Sequence, residues 1–174
     1  IGMGALRVNT GNYNSAMGVR ALLNLTGAYH NNTAVGYSAG RYQADGTTPL
    51  ASPSQSVYIG YNVRGFSDSD SNSIVIGASA IGIGANSVVL GNNSITKTIL
   101  KGNVGVGTTT PAYQLSASST SNIVAVFDQR GTSDILRLND AGTTVFKVQD
   151  GGYVGVGTNT PKSVLSVSTL SSVA

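Results

Sequence analysis

Short aliphatic runs that end in glycine recur along the first half of the chain. The clearest stretch is NSIVIGASAIGIGANSVVLGN, residues 72–92, in which Asn-Ser, three aliphatic residues and Gly appear twice, 14 residues apart. An interval this short is typical of one coil of a β-solenoid and is too short for the common helical-pair repeats. The pattern therefore predicts stacked β-strands.

The same unit extends toward the N-terminus, with connections of unequal length between its strands. Its glycines are Gly18, Gly36, Gly60, Gly77 and Gly91, which are separated by 18, 24, 17 and 14 residues. Constant strands with variable connections are typical of a solenoid whose turns carry insertions. We expect each of these glycines to form a corner that requires positive φ or close backbone approach.

The strand at residues 74–76 is apolar on both faces. Ile74 and Ile76 should point to one side and Val75 to the other. The interior of the coil covers one face, and the chain offers no helix to cover the second. Identical chains related by rotational symmetry would supply that cover, so we expect a homo-oligomer and predict three chains.

Composition favours an all-β fold and excludes several partners. With 23 Gly, no Glu and only 10% charged residues, the chain has little with which to build the solvated face of a helix. The ten Lys and Arg residues, which leave a net charge of +3, are scattered singly, so we expect no nucleic-acid partner. No apolar stretch reaches membrane-spanning length, so we expect no membrane insertion. The chain has no Cys for disulfides or thiolate metal sites, and it begins without an initiator Met, so we expect a piece of a longer protein.

The second half has a longer internal repeat. NVGVGTTTPAYQLSAS from Asn103 returns as YVGVGTNTPKSVLSVS from Tyr153, an offset of 50 residues. Between the copies, three segments have the apolar pattern of short strands bounded by Gly-containing turns; they are residues 122–129, 134–140 and 144–150. We predict a β-prism or meander-like unit that needs neighbouring chains to complete its core.

These observations divide the chain into three parts. Residues 1–91 form the solenoid, residues 92–102 form a polar connector, and residues 103–174 form a trimeric β-stranded shaft.

Residues 72–92 resemble the left-handed β-roll head of trimeric autotransporter adhesins. Residues 10–40 resemble the longer version of that repeat in phage tail fibres, and residues 92–118 resemble the segment that precedes a self-cleaving chaperone in many tail-fibre proteins. The resemblance implies a left-handed β-roll followed by shaft repeats in an intertwined homotrimer. It also implies a virion tail fibre or another extracellular location.

Three motifs invite a chemical interpretation. The Gly-x-Gly pairs lack the following helix of a dinucleotide site and are interpreted as turns. SDSDSNS, residues 67–73, spaces Asp68 and Asp70 like a Ca²⁺ loop but lacks its Gly and Glu, so a solvated turn is favoured. His30 is the one histidine, and it could bind an ion where three chains meet on an axis; a surface turn is the favoured alternative.

Catalysis is not expected. Without Cys, and with a single His that has no Ser-Asp pattern around it, the chain lacks a nucleophile triad. Its seven Asp residues lie mostly beside turn residues, and a site formed between chains is the alternative. We therefore predict a protein that is not an enzyme and that has no cofactor, no metal and no catalytic residues.

The longest connection, between Gly36 and Gly60, is the predicted site of receptor contact, because loops on a rigid frame collect binding residues. Tyr and Arg are enriched at binding hot spots. The candidate receptor-binding residues are Tyr37, Arg41, Tyr42 and Asp45 from this connection, with Arg64 and Phe66 from the next. Packing of Tyr37 and Tyr42 against a neighbouring chain is the alternative interpretation.

The sequence therefore predicts a trimeric fibre segment of a phage tail fibre or receptor-binding protein that attaches to a host-surface glycan or protein. A bacterial trimeric adhesin head and a purely structural filament shaft are the alternatives.

Overall fold

The chain is all-β. A computed structural model describes residues 2–26, 28–120 and 125–168, and these residues contain eleven short strands in three sheets and no helix. The chain divides into two compact units, Ile1–Ile99 and Leu100–Ala174.

The first unit contains one sheet of five parallel strands in the order of the sequence. Each strand pairs in register with the next, so that Ala34 faces Tyr58 and Tyr58 faces Val75. The strands are β1 (Ser15–Met17), β2 (Thr33–Val35), β3 (Val57–Ile59), β4 (Ile74–Ile76) and β5 (Val88–Leu90).

Side chains alternate across this sheet as the sequence predicted. The central residue of each strand points inward, and Ala34, Tyr58 and Val75 are completely buried. The flanking residues, such as Ile74 and Ile76, are on the opposite face and are only partly covered. The prediction that Val75 points away from its two neighbours is confirmed.

Glycine corners follow the strands. Gly36 has φ of 128°, and a Cβ on it would lie 2.3 Å from the carbonyl oxygen of Gly60. Only glycine fits both the conformation and the close approach, so the prediction of a corner is confirmed. The second residue after each of the first four corners is also left-handed, as Ser38 shows with φ of 53°.

The connections are stacked as well as the strands. The Leu22 amide donates to the Ala39 carbonyl at 2.9 Å, and the Gly40 amide donates to the Val63 carbonyl at 2.9 Å. The apolar core lies between the stacked connections and the sheet. It contains Ala21, Leu22, Leu25, Ala34, Ala39, Leu50, Tyr58, Val63, Val75 and Ala80. Burial of these side chains is the main stabilising contribution in the unit.

The second unit contains a pair of parallel strands and a sheet of four. In the sheet the order is β11-β10-β9-β8, and β8 and β9 form an antiparallel hairpin with its turn at Ala141 and Gly142, where a turn was predicted. The strands are β6 (Val104–Val106), β7 (Leu115–Ala117), β8 (Leu136–Asp140), β9 (Thr143–Val148), β10 (Val154–Val156) and β11 (Leu165–Val167).

The two copies of the 50-residue repeat share one strand pairing. Val104 pairs with Leu115 in the first copy, and Val154 pairs with Leu165 in the second, both in parallel. The copies differ in their neighbours, because β10 also pairs with β9. The inference of a repeated supersecondary unit is therefore confirmed.

One strand prediction is wrong in the part of it that the structure describes. Residues 122–129 were expected to form a strand; residues 122–124 lie outside the described residues, and residues 125–129 are not in a strand. Val126 and Phe127 are 75% and 62% exposed. The apolar pattern is present, but no described strand of this unit pairs with the segment, and a strand needs a partner for its backbone groups.

A partly buried ion pair connects the hairpin of the second unit to the segment before β8. Lys147 Nζ lies 3.0 Å from Asp134 Oδ1 and donates to the Asn159 carbonyl at 2.9 Å. Hydrogen bonds from Arg137 and Lys147 lower the pKa of Asp134 below its usual range, so the carboxylate stays ionised.

Candidate functional site

The 24-residue connection between Gly36 and Gly60 contains a small hairpin formed by residues 41–50. The Leu50 amide donates to the Arg41 carbonyl at 3.0 Å, and the Gln43 amide donates to the Thr48 carbonyl at 2.9 Å. Tyr42 and Pro49 form an antiparallel bridge between these bonds. The insertion is therefore ordered by its own backbone pairing.

Asp45 fixes the turn of this hairpin. Its carboxylate accepts hydrogen bonds from the Thr47 and Thr48 amides, both at 2.9 Å, and from the Thr48 hydroxyl. These bonds, with that of the Thr48 hydroxyl the strongest, lower the pKa of Asp45 to about 2. Asp is suited to this position because its short side chain binds the backbone of the following residues.

The hairpin is held against the next connection. The Gly65 amide donates to the Tyr42 carbonyl at 3.2 Å, and the Ala44 amide donates to the Phe66 carbonyl at 3.3 Å. Arg64 Nη1 donates to the Ala44 carbonyl at 2.8 Å. The structure thus brings residues 64–66 beside the hairpin.

We call Arg41, Tyr42, Asp45, Arg64 and Phe66 the hairpin patch. The Arg41 guanidinium carbon lies 4.4 Å from the centroid of the Tyr42 ring, a cation–π contact, and Phe66 is 52% exposed. Nε of Arg41 and Nε of Arg64 are buried without a hydrogen-bond partner. Neither arginine forms an ion pair with a carboxylate in the described part of the chain, and the patch places both cations beside aromatic surface.

Tyr37 belongs to a different cluster. Its ring stacks on Tyr61 with centroids 5.5 Å apart and an interplanar angle of 15°, and its hydroxyl accepts a hydrogen bond from Arg20 Nη1 at 3.3 Å. Arg20 and Tyr61 were not among the site residues predicted from the sequence. The signal for Tyr61 was present, because Tyr37 and Tyr61 each directly follow a corner glycine.

The acidic motif at residues 67–73 stabilises the backbone. Asp68 Oδ1 accepts from the Ala51 amide at 2.6 Å, and Asp70 Oδ2 accepts from the Phe66 amide at 2.7 Å. The expectation of a solvated turn is wrong for Asp70, which is only 1% exposed. Its Oδ2 exchanges water for a backbone donor, and the residue thereby positions Phe66 in the hairpin patch.

His30 also bonds to the backbone. Its Nδ1 accepts from the Asn12 amide at 2.7 Å, and its carbonyl accepts from the Gln55 amide at 2.9 Å. The residue therefore joins the stretches that precede β1 and β3.

Comparison of the chain with protein-family models, curated proteins and solved structures finds no match. Among the described residues, no helix has the length and apolar character needed to cross a membrane.

Proposed function

We propose that the chain is a segment of a trimeric fibre, in which the first unit is a left-handed β-solenoid and three chains pack around a common axis. The observation that supports this proposal is the outer face of the sheet β1–β5. This face presents two columns of side chains, Ser15, Thr33, Val57, Ile74 and Val88, and Met17, Val35, Ile59, Ile76 and Leu90.

Most of these side chains are apolar, and several are well exposed. Met17 and Leu90 are each 58% exposed, and Val88 is 60% exposed. A continuous apolar face of this kind is unusual on a monomer and typical of an interface. Each aliphatic side chain that becomes fully buried contributes about 1.5–3 kcal/mol, and symmetry repeats the contribution in every chain.

The oligomeric state tests this proposal directly. Light scattering should give three times the chain mass of 17.6 kDa. Ile76→Asp places a charge on the outer face and should abolish assembly, whereas Thr47→Asp at the exposed hairpin turn should leave it intact. A stable monomer of the parent chain, or an Ile76→Asp variant that assembles like the parent, would contradict the proposal.

We further propose that the fibre segment attaches a phage tail to a host-cell surface. The hairpin patch supports this role, because a rigidly held hairpin presents Arg41 and Tyr42 beside Phe66 of the next connection. Arg and Tyr are enriched at binding hot spots. The buried Asp70 and the hairpin bonds hold the patch in place before any partner arrives, which reduces the entropic cost of binding.

Attachment of the purified trimer to host cells tests this role. Arg41→Ala with Tyr42→Ala should abolish attachment and leave trimer melting unchanged, whereas Tyr113→Ala, which removes an equally bulky exposed side chain from the second unit, should change neither. Unchanged attachment by the double variant excludes the patch. A parent trimer that attaches to no cell supports the alternative of a structural shaft.

A further inference from the structure

A third column of side chains runs along the first unit, beside the two columns of the outer face. It consists of the residue that directly follows each corner glycine, namely Val19, Tyr37, Tyr61, Ala78 and Asn92. The corners are in register, because the Gly60 amide donates to the Val35 carbonyl and the Gly77 amide donates to the Ile59 carbonyl, each at 2.8 Å. The column therefore places one side chain in each layer, with layers about 4.8 Å apart.

Aromatic rings fill two successive layers of this column. Tyr37 and Tyr61 stack with nearly parallel rings, and they are 43% and 59% exposed. The pair shows that one layer accommodates one ring at a centroid distance of 5.5 Å.

The next layer has no ring. Ala78 occupies it with a single methyl group and is exposed. The Asn92 side chain, from the following layer, donates through Nδ2 to the Ala78 carbonyl at 2.6 Å, and its Oδ1 accepts from the Ser94 amide at 2.8 Å. The face of Tyr61 that points away from Tyr37 is therefore next to an open layer with an amide on its far side.

We propose that this open layer, between Tyr61 and Asn92 and over Ala78, binds a pyranose ring of a neutral glycan. The C–H face of a sugar is apolar and stacks on an aromatic ring, while its hydroxyls need polar partners at the edge. A pyranose over Ala78 would extend the Tyr37–Tyr61 stack by one ring.

The surroundings of the layer favour an uncharged ligand. Ser79 and Asn92 also line an adjoining cleft of about 440 Å³, with Asn93 and Ser94 supplying further polar groups and Ile81 and Val89 supplying apolar surface. No charged side chain lines the cleft among the described residues. Arg20 lies at the opposite end of the stack, against Tyr37.

This inference rests on the proposed attachment role, and variants of the column separate the two. The parent trimer is applied to an array of neutral and acidic oligosaccharides, and we expect it to bind neutral hexopyranosides. Tyr61→Ala removes the stacking face, and Ala78→Tyr fills the open layer with a protein ring. Each should reduce binding at least tenfold while trimer mass and melting stay unchanged. Tyr13→Ala, at an 83% exposed tyrosine outside the column, is the matched control and should bind like the parent.

Undiminished binding by Ala78→Tyr would overturn the inference. A parent protein that binds only acidic glycans, or that binds no glycan on the array, would overturn it as well. Loss of assembly in Tyr61→Ala would also overturn it, because the column would then be a contact between chains. Attachment of the same variants to host cells is scored separately. If the parent and Ala78→Tyr attach to cells equally well, the chain mediates attachment through another site and this inference is wrong. If neither the parent nor any variant attaches to cells, the proposed attachment role itself is wrong.

Discussion

The backbone of Gly40 lies so close to the ring of Tyr58 that a Cβ on Gly40 would be 2.8 Å from Tyr58 Cδ2. The two residues lie in neighbouring turns of the chain, and both are completely or almost completely buried. The absent side chain of Gly40 is thus what allows a tyrosine ring into an interior otherwise lined by small and aliphatic residues.

Gly40→Ala should therefore destabilise the first unit. Gly40 has φ of 63°, and the new methyl group would also meet Leu22 Cδ2 at 2.8 Å. Strain and overpacking together should lower the free energy of unfolding by about 2–4 kcal/mol per chain in denaturant titrations. Gly4→Ala is the control. Gly4 has a similar φ of 74°, but the atom nearest to a Cβ on Gly4 would be Leu23 Cδ1, at 3.2 Å. Equal losses in the two variants would show that packing against Tyr58 contributes nothing.

Tyr58→Phe should leave stability at neutral pH unchanged or raise it by up to about 1 kcal/mol per chain. The Tyr58 hydroxyl is buried and has no hydrogen-bond partner, so its removal relieves a desolvated polar group. A loss of more than about 1 kcal/mol in denaturant titrations would contradict this prediction, since it would show that the hydroxyl is satisfied.

The same variant should differ from the parent in alkaline solution. Burial raises the pKa of the Tyr58 hydroxyl, so the unfolded chain ionises at lower pH than the folded one. The contribution of Tyr58 to the free energy of unfolding is therefore fully present below the pKa of the unfolded chain, near 10. Above that pH the free energy of unfolding falls by up to about 1.4 kcal/mol per pH unit. Tyr58→Phe should remove this loss of stability at high pH, whereas Tyr13→Phe, at an exposed site, should retain it.

The strands and corners of the first unit could be predicted because their signals are local. Alternation over three residues sets which side of the sheet Val75 faces, and a glycine at a fixed position marks each corner. The equivalence of the two copies of the 50-residue repeat followed from sequence identity alone, since Val104 and Val154 occupy equivalent positions. The parallel strand pairing within each copy was not predicted.

The candidate site could be predicted only in part, because its geometry depends on contacts between distant residues. Asp68 accepts a hydrogen bond from the amide of Ala51, 17 residues away, and Arg64 donates to the carbonyl of Ala44, 20 residues away. Neither partner can be identified from spacing. The strand prediction was wrong at residues 125–129, the described part of its segment, for a related reason. An apolar pattern indicates a surface that can be buried, but pairing requires a neighbouring strand.

Gln55→Asn should stabilise the first unit. The residue two positions before each strand β1–β5 has positive φ, and in three of these strands it is Asn, with φ of 62° at Asn31, 54° at Asn72 and 57° at Asn86. Gln55 adopts φ of 53° at the same position. Its side chain is longer than that of Asn, which tolerates the left-handed conformation better than most residues. We expect a gain of up to about 1 kcal/mol per chain in denaturant titrations.

Asn72→Gln is the reverse substitution and should be destabilising. It introduces the same strain and also displaces the hydrogen bond that Asn72 Nδ2 donates to Asn86 Oδ1 at 3.0 Å. If Gln55→Asn lowers stability, the backbone preference is outweighed by the side-chain contacts of Gln55.

The order of the hairpin at residues 41–50 should depend on the charge of Asp45. The Thr48 hydroxyl and the Thr47 and Thr48 amides lower the pKa of this carboxyl to about 2 from an ordinary value of 3.8. A depressed folded-state pKa means that the ionised carboxylate stabilises the folded turn. Its contribution is fully present above the ordinary value and is lost as the pH falls from about 4 through about 2.

NMR spectra of the protein between pH 5 and pH 2 check this, with the Thr47 and Thr48 amides as reporters. We expect both resonances to shift with a midpoint near pH 2 and their exchange with solvent to accelerate below it, because protonation removes the charge that these amides bind. Asp45→Asn keeps an oxygen acceptor at the same position but cannot ionise, so its amide resonances should stay constant over the same range. A midpoint near pH 4 in the parent would show that the carboxylate is free of the turn. In that case Asp45 would be available to a receptor, and the rigidity of the hairpin patch would have to come from the backbone bonds of Tyr42 and Ala44 alone.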